Sequence, residues 1–261
     1  MRTAVVTGAA GAIGSAVCSL LIGRGFRVVA VDVDADGLAR LPDDVSPVVA
    51  DLTDPDFTSA VREAVERLGG RCDVLVNNAG IVNTTPVDQL RPEQVLREQA
   101  INLQAPILLS LALMPALKAA GGQIVSVVSL ASMLPLAESP GYCASKAGLR
   151  AFMSSLALSE NTTGVRISMV HPGAVDTPML QHEARSGGSA LNFLTPPMKP
   201  AAVAKAVVGQ IDRPKLEVLV PASDGWLVRL AATVPAVLRR SNAVLCRLGE
   251  RGRTRYLGSL G

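Results

Sequence analysis

The sequence has few aromatic residues: one tryptophan, two tyrosines and four phenylalanines in 261 residues. It also has no separate block of basic residues, so no nucleic-acid partner is predicted. Two histidines, His171 and His182, leave little for a histidine-rich metal centre, and we predict no metal site. The four cysteines form no C-x-x-C pair, which favours reduced thiols in a cytoplasmic protein.

Long hydrophobic runs are missing as well. The longest nearly apolar run, Ala105–Leu117, is flanked by Gln104 and Lys118 and is too short to span a bilayer, so it predicts a buried helix. The apolar start after Met1 resembles a secretory signal, but it runs directly into a glycine turn that the predicted binding site needs, and we expect no cleaved leader. Hydrophobic residues still make up 49% of the chain, which excludes intrinsic disorder.

What the sequence does contain is an alternation of short β-branched runs with longer helical patterns. This alternation favours βαβ units and a doubly wound, seven-stranded parallel sheet flanked by helices, an α/β fold class. Strands are predicted at Thr3–Thr7, Arg27–Val31, Ser46–Ala50, Val74–Val76, Gln123–Val128, Val165–Val170 and Glu217–Val220. Helices are predicted at Ile13–Gly23, Phe57–Leu68, Pro92–Lys118, Pro140–Ser159 and Ala201–Ile211. Pro106 and Pro115 are expected to disturb the third of these locally.

A glycine-rich turn follows the first predicted strand. Gly8, Gly11 and Gly14, with Ala12 and Ile13 before the last of them, open the first helix. Glycines let the backbone turn tightly and approach a pyrophosphate, which the free N–H groups at the helix N-terminus then bind. Such turns are common, but the position between the first strand and the first helix favours dinucleotide binding.

Asp32 lies just after the second predicted strand. A carboxylate at this point hydrogen-bonds the ribose hydroxyls of NAD and repels the 2′-phosphate of NADP. Neither Gly11 nor Val33 offers a positive charge for that phosphate, so the sequence favours NAD over NADP. A solvated turn aspartate is the alternative, and it suits Asp34 and Asp36 better.

Tyr142 and Lys146 are four residues apart in a predicted helix and therefore share one face. An ammonium near a phenol lowers the pKa of the tyrosine from about 10 toward the working pH, so that it can act as a general acid/base. Ser129 follows the fifth predicted strand, at the sheet edge where open α/β sheets bind ligands. The Tyr–Lys spacing alone also fits an ordinary surface helix.

Together these residues resemble the short-chain dehydrogenase/reductase family over about residues 3–221. The chain has the family's T-G-x-x-x-G-x-G turn with Ala12 in place of the middle glycine, its N-N-A-G segment, its Y-x-x-x-K pair and its P-G-x-x-x-T stretch. Each motif is weak alone, whereas their joint occurrence in this order is specific. The resemblance implies a Rossmann-like fold.

The resemblance also implies roles. Ser129 would hold the substrate oxygen, Tyr142 would transfer its proton, and Lys146 would lower the tyrosine pKa and contact the nicotinamide ribose. Asn102 would hold a proton-relaying water; a bond to the backbone inside its own helix is the alternative. The implied catalytic residues are Asn102, Ser129, Tyr142 and Lys146. The implied cofactor-binding residues are Gly8, Gly11, Ala12, Ile13, Gly14, Asp32, Asp51, Leu52, Asn78, Ala79, Gly80, Tyr142, Lys146, Pro172, Gly173, Val175 and Thr177.

The segment Asp176–Pro200 shows little regular pattern and predicts a long loop of the kind that closes over substrates. Its apolar residues, with those that follow Ser129, indicate an apolar substrate, although packing against the sheet explains them equally well. These residues are Met133, Leu134, Leu136, Met179, Leu180, Leu191, Phe193, Leu194 and Met198.

Residues 226–261 carry seven arginines and one acid, Glu250. On a helical wheel the apolar and basic residues fall on different sides, and Pro235 should kink or split the helix. A basic amphipathic helix can lie in a membrane interface; packing on its own core or on a partner subunit is the alternative. The apolar side comprises Trp226, Leu227, Leu230, Val234, Val237, Leu238, Val244, Leu245 and Leu248.

The sequence therefore predicts a Rossmann-like catalytic domain at 1–225 and a helical extension at 226–261. The predicted activity is NAD(H)-dependent interconversion of a secondary alcohol and a ketone on an apolar, lipid or steroid-like substrate. A non-catalytic NAD-binding scaffold or sensor is the alternative function. The resemblance implies a homodimer or homotetramer that uses the helices around Pro92–Lys118 and Pro140–Ser159. We expect a cytoplasmic protein, with peripheral membrane association left open.

Overall fold

The computed structural model describes residues 1–260 and contains one seven-stranded sheet in the order β3-β2-β1-β4-β5-β6-β7. Every neighbouring pair of strands is parallel. The predicted α/β, doubly wound sheet is thus confirmed. The strands are β1 Arg2–Thr7, β2 Phe26–Asp32, β3 Val45–Val49, β4 Val74–Asn77, β5 Gln123–Val127, β6 Arg166–Pro172 and β7 Glu217–Val220.

Twelve helices connect and cover these strands within residues 1–260. The first six are α1 Ala12–Ile22, α2 Ala35–Ala39, α3 Phe57–Arg67, α4 Pro92–Gln99, α5 Ala105–Ala112 and α6 Met114–Ala120. The other six are α7 Pro140–Ala157, α8 Glu160–Thr163, α9 Pro178–Ser186, α10 Pro200–Asp212, α11 Ala222–Ala232 and α12 Pro235–Gly258.

The order of the strands creates the ligand edge. The chain winds outward from β1 to β3 and then returns to place β4 on the other side of β1. The two halves therefore diverge at the C-terminal ends of β1 and β4, and open α/β sheets bind their ligands at such a switch point.

Two apolar clusters cover the two faces of the sheet. Val5 of β1 contributes to the cluster beneath α3, α5 and α7, whereas Ala4 and Val6 contribute to the cluster beneath α1 and α10. Successive strand residues alternate between faces, so a strand that is covered on both sides must be apolar throughout. This burial holds the strand ends rigidly at the ligand edge.

The region predicted as one helix, Pro92–Lys118, is broken into several pieces. A π-helical turn, Ala100–Gln104, separates α4 from α5, and α6 begins after Leu113. Pro106 and Pro115 lie in the first turns of α5 and α6, where a missing N–H costs least. The predicted helical region is therefore confirmed, with its breaks near the two prolines that were expected to disturb it.

The prediction of an irregular loop at Asp176–Pro200 was wrong. Residues Pro178–Ser186 form α9, and Ala190–Phe193 form a 3₁₀ turn. The hydroxyl of Thr177 accepts the N–H of Leu180 and caps α9, and Gly187, at φ +94°, ends it. These local signals outweigh the weak hydrophobic periodicity of the segment.

The C-terminal extension is helical and is split as predicted. Helix α11 ends at Ala232, and α12 begins with Pro235 in its first turn. Among residues 1–260, no single helix has the length and hydropathy to cross a membrane; the bent pair Pro92–Ala112 and Met114–Ala120 meets those criteria only when both parts are counted together.

Candidate active site

A cleft of about 580 Å³ opens at the C-terminal edge of the sheet. The glycine turn and Asp32 line one end, Ser129 and Tyr142 line the middle, and α9 closes the other end. All the residues predicted for catalysis or cofactor binding line this cleft except Gly14 and Asn102. The tertiary structure thus brings together motifs that lie far apart in the chain.

The glycine turn has no room for side chains. Gly8 has φ +64°, and a Cβ added there would lie 2.8 Å from the Cα of Ala79. A Cβ added at Gly14 would lie only 2.0 Å from the carbonyl oxygen of Gly8. Gly14 therefore lets α1 approach the turn closely, whereas Gly8, Gly11 and Ala12 form the wall of the cleft.

Hydrogen bonds join the glycine turn to the end of β4. The Nδ2 of Asn78 donates to the carbonyl oxygens of Thr7 and Gly8 at 2.9 and 3.1 Å. The hydroxyl of Thr7 accepts the backbone N–H groups of Asn78 and Ala79 at 3.0 and 3.1 Å. The threonine of the turn and the N-N-A-G segment thus hold one another across the switch point.

Two carboxylates lie on the glycine-turn side of the cleft. Asp32 accepts the N–H of Ala10 at 2.9 Å through Oδ2 and that of Asp34 at 3.1 Å through Oδ1. Asp51 accepts the N–H and the hydroxyl of Thr53, and these two hydrogen bonds lower its pKa. Arg97, a cleft residue that the sequence analysis did not single out, adds a positive charge near Asp51.

Lys146 is almost fully buried, with 3% of its surface exposed. Its Nζ donates to the carbonyl oxygen of Val127 at 3.1 Å and lies 5.8 Å from the centroid of the Tyr142 ring. Burial lowers the pKa of Lys146 to about 8, although the negative charge of Glu98 opposes this shift. The lysine thus keeps its place beside Tyr142 in a site with little water.

The pKa of Tyr142 differs from the sequence prediction. Burial raises it above the ordinary value, and a hydrogen bond with Ser129 opposes that rise only in part. The sequence shows the charge of Lys146 nearby, whereas the loss of hydration at Tyr142 depends on residues that only the fold brings together. In the protein chain alone, the phenol is therefore protonated at neutral pH.

Contacts of its hydroxyl and its carbonyl oxygen fix the position of Ser129. Its hydroxyl accepts the N–H of Ala131 at 3.0 Å, and its carbonyl oxygen lies 3.3 Å from Nδ1 of His171. The other ring nitrogen of His171 lies 3.4 Å from Glu217. His171 and then Arg150 stabilise the carboxylate and lower the pKa of Glu217 to about 2. His171 is thus a structural residue that positions the strand end.

Asn102 lies in the π-helical turn and is fully buried. Its amide bonds both backbone groups of Ile81 at 2.8 Å, and its Nδ2 also contacts the hydroxyl of Ser145 at 3.1 Å. It therefore fastens the segment after β4 to the catalytic side of the cleft. A π-bulge of this kind frequently occurs at a functional site.

Two buried glutamates near the cleft were missed by the sequence analysis. Glu98 accepts the N–H of Asn83 at 2.9 Å, and burial raises its pKa. Glu183 of α9 lines the cleft, and burial raises its pKa to about 7. Glu98 lies four residues before Asn102, a spacing that could have drawn attention to it; nothing local distinguishes Glu183.

Of the nine apolar residues predicted for substrate contact, six line the cleft, and Met133, Phe193 and Met198 do not. Phe193 packs in a small buried cluster, and Met198 packs against the apolar cluster beneath α1 and α10. Those that line the cleft are Leu134, Leu136, Met179, Leu180, Leu191 and Leu194.

Comparison with known proteins assigns the chain to a family. Residues 2–186 match the family described as short chain dehydrogenase. D-threitol dehydrogenase of Mycolicibacterium smegmatis is 35% identical over 205 residues, which cover 75% of this chain and 78% of that protein. The 3-beta-hydroxysteroid dehydrogenase of Comamonas testosteroni is 32% identical over 72% of this chain and 76% of that protein. The NAD(+)-dependent 15-hydroxyprostaglandin dehydrogenase of Mus musculus is 35% identical, with 69% and 70% covered.

Solved structures share the fold. A short-chain dehydrogenase from Burkholderia cenocepacia in complex with NADP superimposes with a TM-score of 0.77 at 26% identity, covering 92% of this chain and 98% of that one. A 3-ketoacyl-(acyl-carrier-protein) reductase from Brucella melitensis in complex with NADH gives a TM-score of 0.73 at 25% identity, with 84% and 96% covered. The chain therefore belongs to the short-chain dehydrogenase/reductase family of oxidoreductases.

Proposed function

We propose that this protein is an NAD(H)-dependent oxidoreductase that interconverts a secondary alcohol and a ketone on an apolar substrate. The proposal rests on one observation: Ser129, Tyr142 and Lys146 line the same cleft beside the glycine turn. A half-buried phenol with a neighbouring lysine and a serine hydroxyl can exchange a proton with a substrate oxygen.

The residues present fit a nicotinamide cofactor. The glycine turn, which packs against Ala79 with no room for a side chain at Gly8, lines the cleft at the start of α1, where free helix N–H groups can bind a phosphate. Gly8, Gly11, Ala12 and Ile13 would hold the pyrophosphate, and Pro172, Gly173, Val175 and Thr177 would hold the nicotinamide end. Asp51, Leu52, Asn78, Ala79 and Gly80 would line the adenosine side. When bound, the cofactor accepts or supplies the hydride.

The protein's own residues move and position the proton. Tyr142 donates its proton to a ketone oxygen during reduction, or removes the hydroxyl proton as a phenolate during oxidation. Ser129 holds the same substrate oxygen by a hydrogen bond. Lys146 favours the phenolate through its charge, and Asn102 keeps the site in shape by fixing Ile81.

Asp32 supports NAD rather than NADP as the cofactor. Its carboxylate lines the cleft at the C-terminal end of β2, where it can accept ribose hydroxyls and would repel a phosphate. The mouse relative named above uses NAD(+), and the Brucella neighbour was solved with NADH. The Burkholderia neighbour was solved with NADP, so the proposal rests mainly on Asp32.

The aliphatic wall of the cleft supports an apolar substrate. Leu134 and Leu136 follow Ser129, and Met179 and Leu180 of α9 face the same space. Each such side chain that a substrate covers contributes about 1 to 3 kcal/mol to binding. Relatives named as steroid and prostaglandin dehydrogenases act on molecules that would suit such a wall.

The first test is the Tyr142→Phe variant, assayed with NAD and a panel of secondary alcohols. Loss of the proton donor should lower kcat about 10²–10⁴-fold while calorimetry still detects NAD binding. The Tyr256→Phe variant is the control: it removes the other tyrosine hydroxyl, which bonds Asp176 on the cleft wall and not the reacting oxygen, so it should change KM and keep most of kcat. Unchanged turnover in Tyr142→Phe would refute the proposed role.

The raised pKa of Tyr142 gives a second expectation. Because oxidation needs the phenolate, kcat/KM for alcohol oxidation should rise with pH through the neutral range, whereas ketone reduction, which needs the protonated phenol, should stay nearly constant over that range. Parallel pH profiles of the two directions test this. A flat oxidation profile between about pH 6 and pH 9 would contradict it.

The alternative, a non-catalytic NAD-binding scaffold or sensor, has a distinct signature. It would bind NAD with normal affinity yet show no turnover with any alcohol or ketone, and Tyr142→Phe would change nothing. The burial of Lys146 beside Tyr142 disfavours this alternative, because a scaffold has no need for a desolvated lysine there.

For partners, we propose a homo-oligomer and a membrane contact. Leu96, Leu108 and Leu111 of α4 and α5 are 50–67% exposed and would pair with a second copy. The C-terminal apolar surface, seven residues that are 46–68% exposed, would rest on an anionic bilayer, since exposed arginines of α12 flank it. This surface comprises Trp226, Leu227, Leu230, Val234, Val237, Val244 and Leu248.

A further inference from the structure

Glu183 is a buried carboxylate in the otherwise aliphatic end of the cleft. Only 8% of its surface is exposed, yet it is among the cleft-lining residues. It lies on α9, together with Met179 and Leu180. The proposed chemistry does not use it, and an ionised group in such a place is costly unless a partner compensates it.

The contacts of Glu183 are incomplete. Its Oε2 accepts the amide N–H of Asn192 at 3.2 Å, whereas Oε1 receives no hydrogen bond from residues 1–260. Arg253 is near enough to lower the pKa, but its guanidinium bonds Gly188 and Glu250 instead. One acceptor oxygen of Glu183 is therefore left for a ligand.

The backbone around Glu183 fixes its position. The carbonyl oxygen of Glu183 accepts the N–H of Gly188 at 2.8 Å, and a Cβ added at Gly188 would lie 2.6 Å from the Cβ of Glu183. The glycine at the end of α9 thus packs directly on this residue. A fixed acceptor suits selective binding better than a mobile one.

The charges that line the cleft near α9 favour a substrate group that donates a hydrogen bond. Asp224 also lines the cleft, but Thr195 and Ser223 already donate to its two oxygens at 2.8 and 3.1 Å. Among the described residues, the cationic cleft residues are Arg97, near Asp51, and Lys146, beneath Tyr142. At the α9 end the cleft is therefore lined by carboxylates and by no cation, since Arg253 lies outside the lining and bonds Gly188 and Glu250, and this disfavours a substrate carboxylate there.

We propose that Glu183 is a specificity-determining residue that binds a hydroxyl or ammonium group on the apolar substrate, away from the carbon that is oxidised. This inference rests on the proposed function, because it describes the same cleft. It narrows the substrate class to apolar alcohols with a second hydrogen-bond donor. A site built to bond a polar group rejects analogues without it strongly, because its own group is then left unpaired.

The ionisation of Glu183 should make the affinity for an ammonium compound depend on pH. Its pKa of about 7 reflects burial, with Arg253 of α12 opposing and Glu98 of α4 adding to the rise. Tyr142 of α7 is close enough for its own pKa to be raised by Glu183. Affinity for an ammonium should therefore increase between about pH 6 and pH 8, whereas affinity for a plain alcohol should not.

The test uses secondary alcohols of five to nine carbons that end in a methyl, hydroxyl, ammonium or carboxylate group. Calorimetry on NADH-saturated protein measures their affinity without turnover, and kcat/KM with NAD measures their oxidation. The best ammonium or hydroxyl compound should bind at least about tenfold more tightly than the matching carboxylate. Glu183→Gln should remove the ammonium preference and its pH dependence while keeping the affinity for the methyl compound.

Glu250→Gln is the matched control, since it makes the same change beside Arg253 on the exposed side of α12. It should behave like wild type. Glu183→Asp, which keeps the charge, serves if Glu183→Gln does not fold, and it should keep a reduced ammonium preference. An unchanged preference in Glu183→Gln, equal binding of the carboxylate, or no binding of any compound would overturn the inference. Glu183-dependent binding without any turnover would instead refute only the proposed reaction.

Discussion

Lys146 shows how single residues set the chemistry of this site. An ammonium with 3% exposure gives up most of its hydration, and one carbonyl hydrogen bond together with the charge of Glu98 offsets part of that cost. The remaining cost appears as a pKa of about 8. Burial thus lowers the pKa of Lys146 and raises the pKa of Tyr142, and both shifts favour the uncharged form of the side chain.

The preference for NAD over NADP is predicted to depend on the charge of Asp32. Asp32→Asn removes the negative charge but leaves an oxygen to accept the N–H of Ala10, so the turn should keep its shape. The ratio of NAD to NADP affinity should fall by about tenfold or more, equivalent to ~1.4 kcal/mol. Calorimetric titration with both cofactors measures it.

Asp36→Asn is the control for that experiment, because Asp36 is exposed on α2 and does not line the cleft. It should leave the ratio unchanged. Tight NADP binding by the wild-type protein would show that Asp32 does not select the cofactor.

At the scale of elements, α12 holds the substrate side of the cleft in place. Gly249 and Gly252 contact the 3₁₀ turn so closely that an added Cβ would lie 2.1 Å from the carbonyl oxygen of Ala190 or 1.9 Å from that of Phe193. One turn further along, the Tyr256 hydroxyl bonds Asp176, and its ring lies 5.4 Å from that of Phe193. The C-terminal half of α12 therefore packs on this chain's own cleft wall.

Gly249→Ala tests that contact. Because the added methyl group has no space, the variant should lose about 1 to 3 kcal/mol of unfolding free energy and several degrees of Tm. The KM for an apolar alcohol should rise as well, since the 3₁₀ turn carries Leu191 of the cleft wall. Thermal denaturation and steady-state kinetics measure the two effects.

Gly258→Ala on the same helix provides the matched control, because a Cβ there meets nothing within 4 Å. Its Tm should stay the same or rise slightly. A Tm loss equal to that of Gly249→Ala would contradict the packing explanation, because alanine is the better helix former and a Cβ at Gly258 has open space.

At the scale of the whole molecule, the exposed leucines of α4 and α5 indicate an assembly face. Leu108→Glu combined with Leu111→Glu should shift a dimer to monomers, because a two-fold contact would bring the new charges together. Sedimentation velocity over a range of concentrations measures the shift. Val87→Glu, at a 70% exposed position outside these helices, should leave the assembly unchanged.

The C-terminal apolar surface gives the second prediction at this scale. The protein should sediment with vesicles that contain phosphatidylserine and much less with phosphatidylcholine alone, since the surface combines aliphatic and arginine side chains. Leu230→Glu with Val237→Glu should reduce vesicle binding at least about tenfold. If these substitutions change the oligomeric state and not vesicle binding, the surface contacts a second copy instead.

The sequence by itself determined the sheet and most of the cleft. Strands that are apolar on both faces, such as β1 and β2, have no other stable place than a covered parallel sheet. The glycine turn and the Tyr142–Lys146 pair are local patterns whose spacing follows from turn and helix geometry. For that reason nearly all the predicted cofactor and catalytic residues line one cleft.

The tertiary structure decided what depends on distant neighbours. Burial, and not the nearby lysine, sets the direction of the Tyr142 pKa, because the dryness of a site is a property of everything packed around it. Asn102 bonds Ile81, and Glu183 faces the cleft beside Asn192, through contacts that no local pattern records. The packing of α12 on the 3₁₀ turn likewise depends on two glycines meeting a backbone some sixty residues earlier in the chain. Local spacing determines elements and motifs, whereas burial and long-range contacts determine how charges behave within them.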